Sequence, residues 1–155
     1  METACPRIFL LSPAHCGGKR AATLFNERAT FESAVRVRQP AGVPIGEVFS
    51  FLSGLYFRGK LAYSTCFAIP PPRLTGAYAI TSNRGLLPVQ TPITLEELRA
   101  FGEVDIDLSD ERYRAPLLRD ARKLAADPFP RRIASCPKRP LIWSRAASNR
   151  RCFWD

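Results

Sequence analysis

Polar and apolar positions divide the chain into short blocks with different periods. Arg7 to Ser12 reads Arg-Ile-Phe-Leu-Leu-Ser, an unbroken apolar run between polar ends. A run without alternation is the pattern of a strand buried on both faces, as in a parallel sheet. Pro13 ends it, and the turn Ala14-His15-Cys16-Gly17-Gly18-Lys19-Arg20 leads into a helical stretch, Ala21 to Glu27. Thr30 to Arg38 places Phe31, Ala34 and Val35 among charged residues, a second helical pattern that stops before Pro40. Gln39 to Pro44 reads as a loop.

From Glu47 to Ala68 apolar residues fall on nearly every side, which predicts a central, buried helix, or two joined at Gly54. Pro70-Pro71-Pro72 ends it, and Ala77 to Thr81 predicts a second strand followed by the turn Ser82-Asn83-Arg84-Gly85. Thr94 with Glu97 three residues later is a capping box, and it predicts a helix through Phe101 closed by Gly102. Val104 to Leu108 suggests a short extended segment. Tyr113, Leu117, Ala121 and Leu124 then recur at helical spacing with Arg119, Arg122 and Lys123 outside, and Pro116 suits that helix's first turn. Strands alternating with helices give an α/β fold, a small layered domain with a short, mostly parallel sheet flanked by helices.

Length and composition narrow this picture. The chain has 155 residues, 46% hydrophobic and 24% charged, which allows one hydrophobic core and argues against general disorder. Residues 1–127 therefore form one domain, with 128–155 as a separate, irregular tail. Met1 to Leu11 carries one basic residue, Arg7, and lacks the charged start and long apolar stretch of a signal peptide. The longest apolar run, Val48 to Phe57, is about half of the roughly 20 residues a membrane span needs. The expectation is a cytoplasmic protein with no membrane partner. Cys5, Cys16, Cys66, Cys136 and Cys152 form no C-x-x-C pair and the chain has one histidine, so neither a disulfide framework nor a metal site is indicated.

The formal charge of +9 is unevenly spread. Residues 128–155 hold Arg131, Arg132, Lys138, Arg139, Arg145, Arg150 and Arg151 against Asp155 alone, and so carry +6. Such a segment can bind nucleic acid through counterion release at the phosphate backbone. The same tail holds Trp143 and Trp154 in an Arg/Pro/Ser/Ala mixture without period, the composition of an out-of-frame read from about Arg132 onward. Arg132-Ile133 also resembles the start of one more strand. An arm, a frameshift product and a folding tail all stay open.

Candidate chemistry gathers at the first strand-to-helix turn, because open α/β sheets bind ligands beyond the carboxyl ends of their strands. Ser12, His15, Lys19 and Arg20 lie there, with Gly17 and Gly18 allowing close backbone approach to a phosphate or carboxylate. The spacing is not that of a P-loop, since Arg20 stands where Ser or Thr would follow the lysine. The alternative is a tight turn with solvated charges. Asn83 and Arg84 would face the same edge if the two strands are parallel neighbours; otherwise Asn83-Arg84-Gly85 simply makes a turn. Arg58 and Lys60 interrupt an apolar helix and must reach solvent, an acid or a ligand. His15 beside Cys16 raises a thiolate nucleophile, although no third orienting group is evident. Asp105, Asp107 and Asp110 offer either acid/base groups or an exposed edge and a helix cap.

Three segments carry a resemblance: Leu11-Ser12-Pro13 with Cys16-Gly17-Gly18-Lys19-Arg20-Ala21, Phe51-Leu52-Ser53-Gly54-Leu55-Tyr56-Phe57-Arg58-Gly59-Lys60-Leu61-Ala62-Tyr63, and Asn83-Arg84-Gly85-Leu86-Leu87-Pro88. They resemble an uncharacterised bacterial protein family over Arg7 to Ala126, whose members would continue with another strand and helix. More distantly, the first turn and the Gly-Leu-Leu-Pro after the later strand resemble small α/β domains of nucleobase and tRNA-modifying enzymes. That resemblance implies a nucleotide-related ligand and transfers no catalytic residue or cofactor. Two functions follow. The first is an α/β enzyme or binding protein holding a nucleotide-related or other phosphorylated ligand through Ser12, His15, Lys19, Arg20, Arg58, Asn83 and Arg84. The second is a non-catalytic nucleic-acid-binding or interaction protein acting through the Arg131–Arg151 tail.

Overall fold

The computed structural model describes residues 6–126. The tail, with the readings made for Arg131–Arg151 and for Arg132 onward, lies outside them. The first apolar run forms β1 (Phe9–Leu11), which pairs in parallel with β3 (Ala77–Ile80) in the register Phe9↔Ala77, Leu10↔Tyr78 and Leu11↔Ala79. On its other side β3 pairs antiparallel with β4 (Leu86–Pro88), giving the order β1-β3-β4. A second, two-residue antiparallel ladder joins β2 (Val43–Pro44) to β5 (Pro92–Ile93). The protein is thus α/β, and its sheet is mixed, with a single parallel pairing where the apolar first strand had suggested a mostly parallel sheet. A parallel sheet is buried on both faces, whereas here Leu10 is half exposed on β1.

Between β1 and β3 the chain forms α1 (Lys19–Phe25), α2 (Glu32–Val37), α3 (Ile45–Ser53) and α4 (Leu55–Phe67). The end of the expected 39–44 loop is β2, drawn in by Gly42. Its φ of +66° and its closeness to Ile93, whose carbonyl oxygen would lie 2.7 Å from an added Cβ, leave no room for a side chain.

The break in the long apolar segment falls at Gly54, with φ +61°. It separates two helices of opposite character. α3 is the heart of the core: Ile45, Val48, Phe49 and Leu52 are all buried. The Phe49 ring stands edge-on to Phe57 of α4 at 5.6 Å and to Phe101 at 6.5 Å, geometry that favours aromatic pairs. α4 buries only Phe57 and Ser64 and packs against β1 and β3. Leu55 and Tyr56, each 69% exposed, lie inside the run that reads as buried, because the turn at Gly54 rotates the second helix and takes that part of the run outward.

The capping box is present: Thr94 Oγ1 accepts from the Glu97 amide, and Glu97 Oε2 accepts from the Thr94 amide at 2.9 Å. It starts α5 (Leu95–Gly102), in which Gly102 is the last helical residue and Glu103 the cap. Gly102 is therefore not a left-handed terminator; it lets the helix approach the Cys16 carbonyl, 3.3 Å from where its Cβ would stand.

Residues 104–108 form turns rather than an extended segment. Asp107 Oδ1 accepts from the Ser109 amide and Asp110 Oδ1 from the Arg112 amide, each at 2.9 Å, and such local bonds draw the backbone out of strand geometry. Asp110 opens α6 (Glu111–Ala126) earlier than expected, so Pro116 sits inside the helix rather than in its first turn. α6 is anchored to β4 by Asp120, whose Oδ2 accepts from the Leu86 amide at 3.2 Å. No helix among the described residues is long and apolar enough to cross a membrane.

Phe49→Ala should lower stability by about 3–5 kcal/mol, since it opens a cavity shared by three helices. Gly59→Ala should raise it by about 0.5–1 kcal/mol, because Gly59 stands within α4 and an added Cβ would meet nothing within 4 Å. Urea denaturation of the two variants checks both signs.

Candidate functional site

Because β1 and β3 are parallel neighbours, their carboxyl ends emerge on one edge, and the turns after Leu11 and Ile80 start there together. The edge divides into two halves with different uses.

The half after β3 is structural. Ser82 Oγ donates to the Phe101 carbonyl at 2.6 Å and Asn83 Nδ2 to the Ala100 carbonyl at 2.8 Å, so both close the carboxyl end of α5. The Arg84 guanidinium pairs with the same Glu97 that completes the capping box. Thr81 Oγ1 accepts from the Arg84 amide and donates to the Gly85 carbonyl. Gly85 has φ +74°, and a side chain there would strike Pro116 and Asp120 of α6. Asn83 and Arg84 thus clasp the β3–β4 turn to α5, while Gly85 provides the positive φ and the close approach to α6.

The half after β1 is different. Lys60 Nζ, from α4, donates to Ser12 Oγ at 3.0 Å and lies 4.0 Å from the centroid of the Tyr56 ring. Lys60 reaches the sheet edge, and among the described residues it pairs with no carboxylate. Arg58, two residues earlier and on another face of α4, is exposed and makes no side-chain bond among the described residues. Of the two cations that interrupt α4, Lys60 reaches the strand end and Arg58 reaches solvent. The pairing was not legible because the phase of α4 is set by the break at Gly54. The spacing of Tyr56 and Lys60 at i and i+4 was the one signal available.

His15 is exposed, and its ring lies over Gly17 and Gly18, where a Cβ would approach it at 3.6 and 3.1 Å. Gly18 makes room for that ring. Lys19, the first residue of α1, is exposed and has no carboxylate partner among the described residues. Arg20 Nη1 donates to the Phe51 carbonyl at 3.3 Å and covers Gly54. A cation at the last carbonyls of a helix is favourable, so Arg20 holds the α3–α4 junction. Ser12 and Lys60 meet at the end of β1, while His15 and Lys19 are exposed on the turn and helix start that follow.

Cys16 is buried, its Sγ donates to the Ala14 carbonyl at 3.4 Å, and burial pushes its thiol up to about 12. It is a packed thiol rather than a thiolate nucleophile. The Asp107 carboxyl is held low first by the Ser109 amide, and that of Asp110 first by the Arg112 guanidinium, so both serve turns. No group of three His, Cys, Asp or Glu residues gathers as metal ligands among the described residues. A depression of about 480 Å³ runs along α6 beside Leu118, and a small cavity lies between α2 and α3; neither touches Ser12 or Lys60. Comparison with protein-family models, with curated proteins and with solved structures finds no match. Fold and site together define an α/β protein with an open, lysine-bearing sheet edge.

The folded protein keeps the Cys16 proton that the unfolded chain releases near pH 9. The native state binds more protons in that window, so stability falls as pH rises from about 9 toward 12. Cys16→Ala should flatten this alkaline loss, as urea midpoints on either side of about pH 9 will report.

Proposed function

We propose that the chain binds a small phosphorylated, nucleotide-related ligand at the carboxyl end of β1. Lys60 supplies the charge, the Ser12 hydroxyl orients it, and His15 and Lys19 flank it. The observation that carries this reading is the Lys60–Ser12 contact. A lysine drawn out of a half-exposed helix to a strand end, with no acid to meet it among the described residues, is placed for an anion from solution. The Ser12 hydroxyl can turn to donate to a phosphate oxygen while Lys60 stays in place. The reading takes in Arg20, Asn83 and Arg84 only as supports, and Arg58 not at all. The likeness of the first turn to nucleobase and tRNA-modifying domains supports the same ligand class, and a cytoplasmic setting accords with a reduced, buried Cys16.

A thermal-shift series on the full chain with inorganic phosphate, sugar phosphates and nucleotides tests it. A ligand at about 100 times its dissociation constant stabilises the fold by roughly 2.7 kcal/mol. Lys60→Met should weaken binding about tenfold, which corresponds to about 1.4 kcal/mol, and Ser12→Ala by less. Lys60→Arg should restore part of the loss. A ligand whose shift is untouched by Lys60→Met, or no shift with any phosphate compound, refutes the site.

A further inference from the structure

α6 carries a charge imbalance that the rest of the described chain lacks. Residues 6–110 hold eleven basic and nine acidic side chains, a surplus of two. The 16 residues of α6 hold five and two, a surplus of three on one helix. Residues 127–155, which follow it directly, add seven basic residues against Asp127 and Asp155.

The helix has two unlike faces. Tyr113 is buried, Leu117, Ala121 and Leu124 are half-buried, and Asp120 on the same face bonds to the Leu86 amide of β4. Arg112, Arg114, Arg119, Arg122 and Lys123 all lie on the exposed face, where Glu111 is the one acid. Arg112, Arg119 and Lys123 recur at i, i+7 and i+11 and form a row about 16 Å long on one flank. Arg114 stands on the opposite flank and Arg122 between the two. Ion pairs do not use these cations up. Arg112 goes to Asp110, Arg114 to Glu111, and Arg119 and Lys123 share Asp120, yet the four cationic side chains stay half or more exposed. Exposed pairs are weak, and a guanidinium has donors to spare beyond those one carboxylate takes. Arg122 pairs with no carboxylate among the described residues.

We infer that the outer face of α6 binds the phosphate backbone of duplex DNA. A helix about 10–12 Å across fits the roughly 12 Å wide major groove of B-DNA, so cations on its two flanks meet phosphates on both sides of the groove. Other polyanions fit this face less well. A membrane surface takes up a helix by its apolar face, and that face of α6 is turned to the body, leaving Leu118 as the one large apolar residue exposed on the helix. A single strand needs aromatic rings among the cations for its bases to stack on, and α6 exposes none. Double-stranded RNA has a deep, narrow major groove that closes it to a helix. Contacts to phosphate carry no sequence information, so the binding is independent of sequence. The surface is separate from the phosphate site at the end of β1 and does not depend on it.

Fluorescence anisotropy of the full chain with a labelled DNA duplex of about 20 base pairs, over a series of salt concentrations, tests the surface. Affinity should fall steeply as salt rises. Arg122→Gln combined with Lys123→Gln should lower the slope of log affinity against log salt by about 2 and weaken binding about tenfold at low salt. Arg122→Lys combined with Lys123→Arg keeps both charges and should keep the slope. Arg58→Gln removes an exposed charge from α4 and should leave binding as in the wild type. An RNA duplex of the same sequence and vesicles of anionic lipid should each bind about tenfold more weakly than the DNA. Absence of duplex binding, or equal binding of the RNA or the vesicles, overturns the inference. Wild-type affinity and slope in the double glutamine variant overturn it too, since the DNA is then held elsewhere on the chain. So does an equal loss in the charge-keeping variant or in Arg58→Gln, which would mark an effect of folding or of overall charge.

Discussion

The parallel pairing of Phe9–Leu11 with Ala77–Ile80 is the constraint on which the rest of the structure depends. Two parallel strands cannot be joined by a hairpin; the intervening chain must cross over the sheet and return. Residues 12–76 make that crossing, and they include the core helix α3 and the half-exposed helix α4. The same pairing sends the turns after both strands to one edge. The register therefore determines which polar residues meet, and α4 is brought back along β1 until Lys60 reaches Ser12.

Electrostatics then divides that edge. The carboxyl end of α5 occupies the half after β3, and its carbonyls take the donors of Ser82 and Asn83. Arg84 goes to Glu97, which already caps the start of α5. Donors and cations there are engaged in holding one helix. Arg20, the strongest anion binder of the first turn by type, is likewise directed to the Phe51 carbonyl.

Features encoded by neighbours in sequence were legible, and features encoded by tertiary pairing were not. The capping box of Thr94 and Glu97, the break at Gly54 and the strands at Phe9–Leu11 and Ala77–Ile80 each depend on residues within a turn or two of one another. β2, β4 and β5 are two or three residues long and contain Pro44, Pro88 and Pro92, residues that read against a strand because proline donates no ladder bond. β2 and β5 form because each finds its partner far along the chain, and β4 because the turn at Gly85 folds it back onto β3. Of the candidate residues, Ser12 meets a cation, while Asn83, Arg84 and Arg20 bond to the Ala100 carbonyl, to Glu97 and to the Phe51 carbonyl. Lys60 was visible as an anomaly, but its direction was not, since Gly54 sets the phase of its helix.

α4 shows how local cost can point to function. Helix stability in a globular protein comes mainly from burying one apolar face, and α4 buries little beyond Phe57 and Ser64. It exposes Leu55, Tyr56, Tyr63 and Phe67, and it carries a glycine with no steric reason. Each choice conflicts with the consistency that foldable sequences show elsewhere, and such conflicts are expected at functional sites. Here they coincide on one stretch of helix, beside the lysine that reaches the strand end.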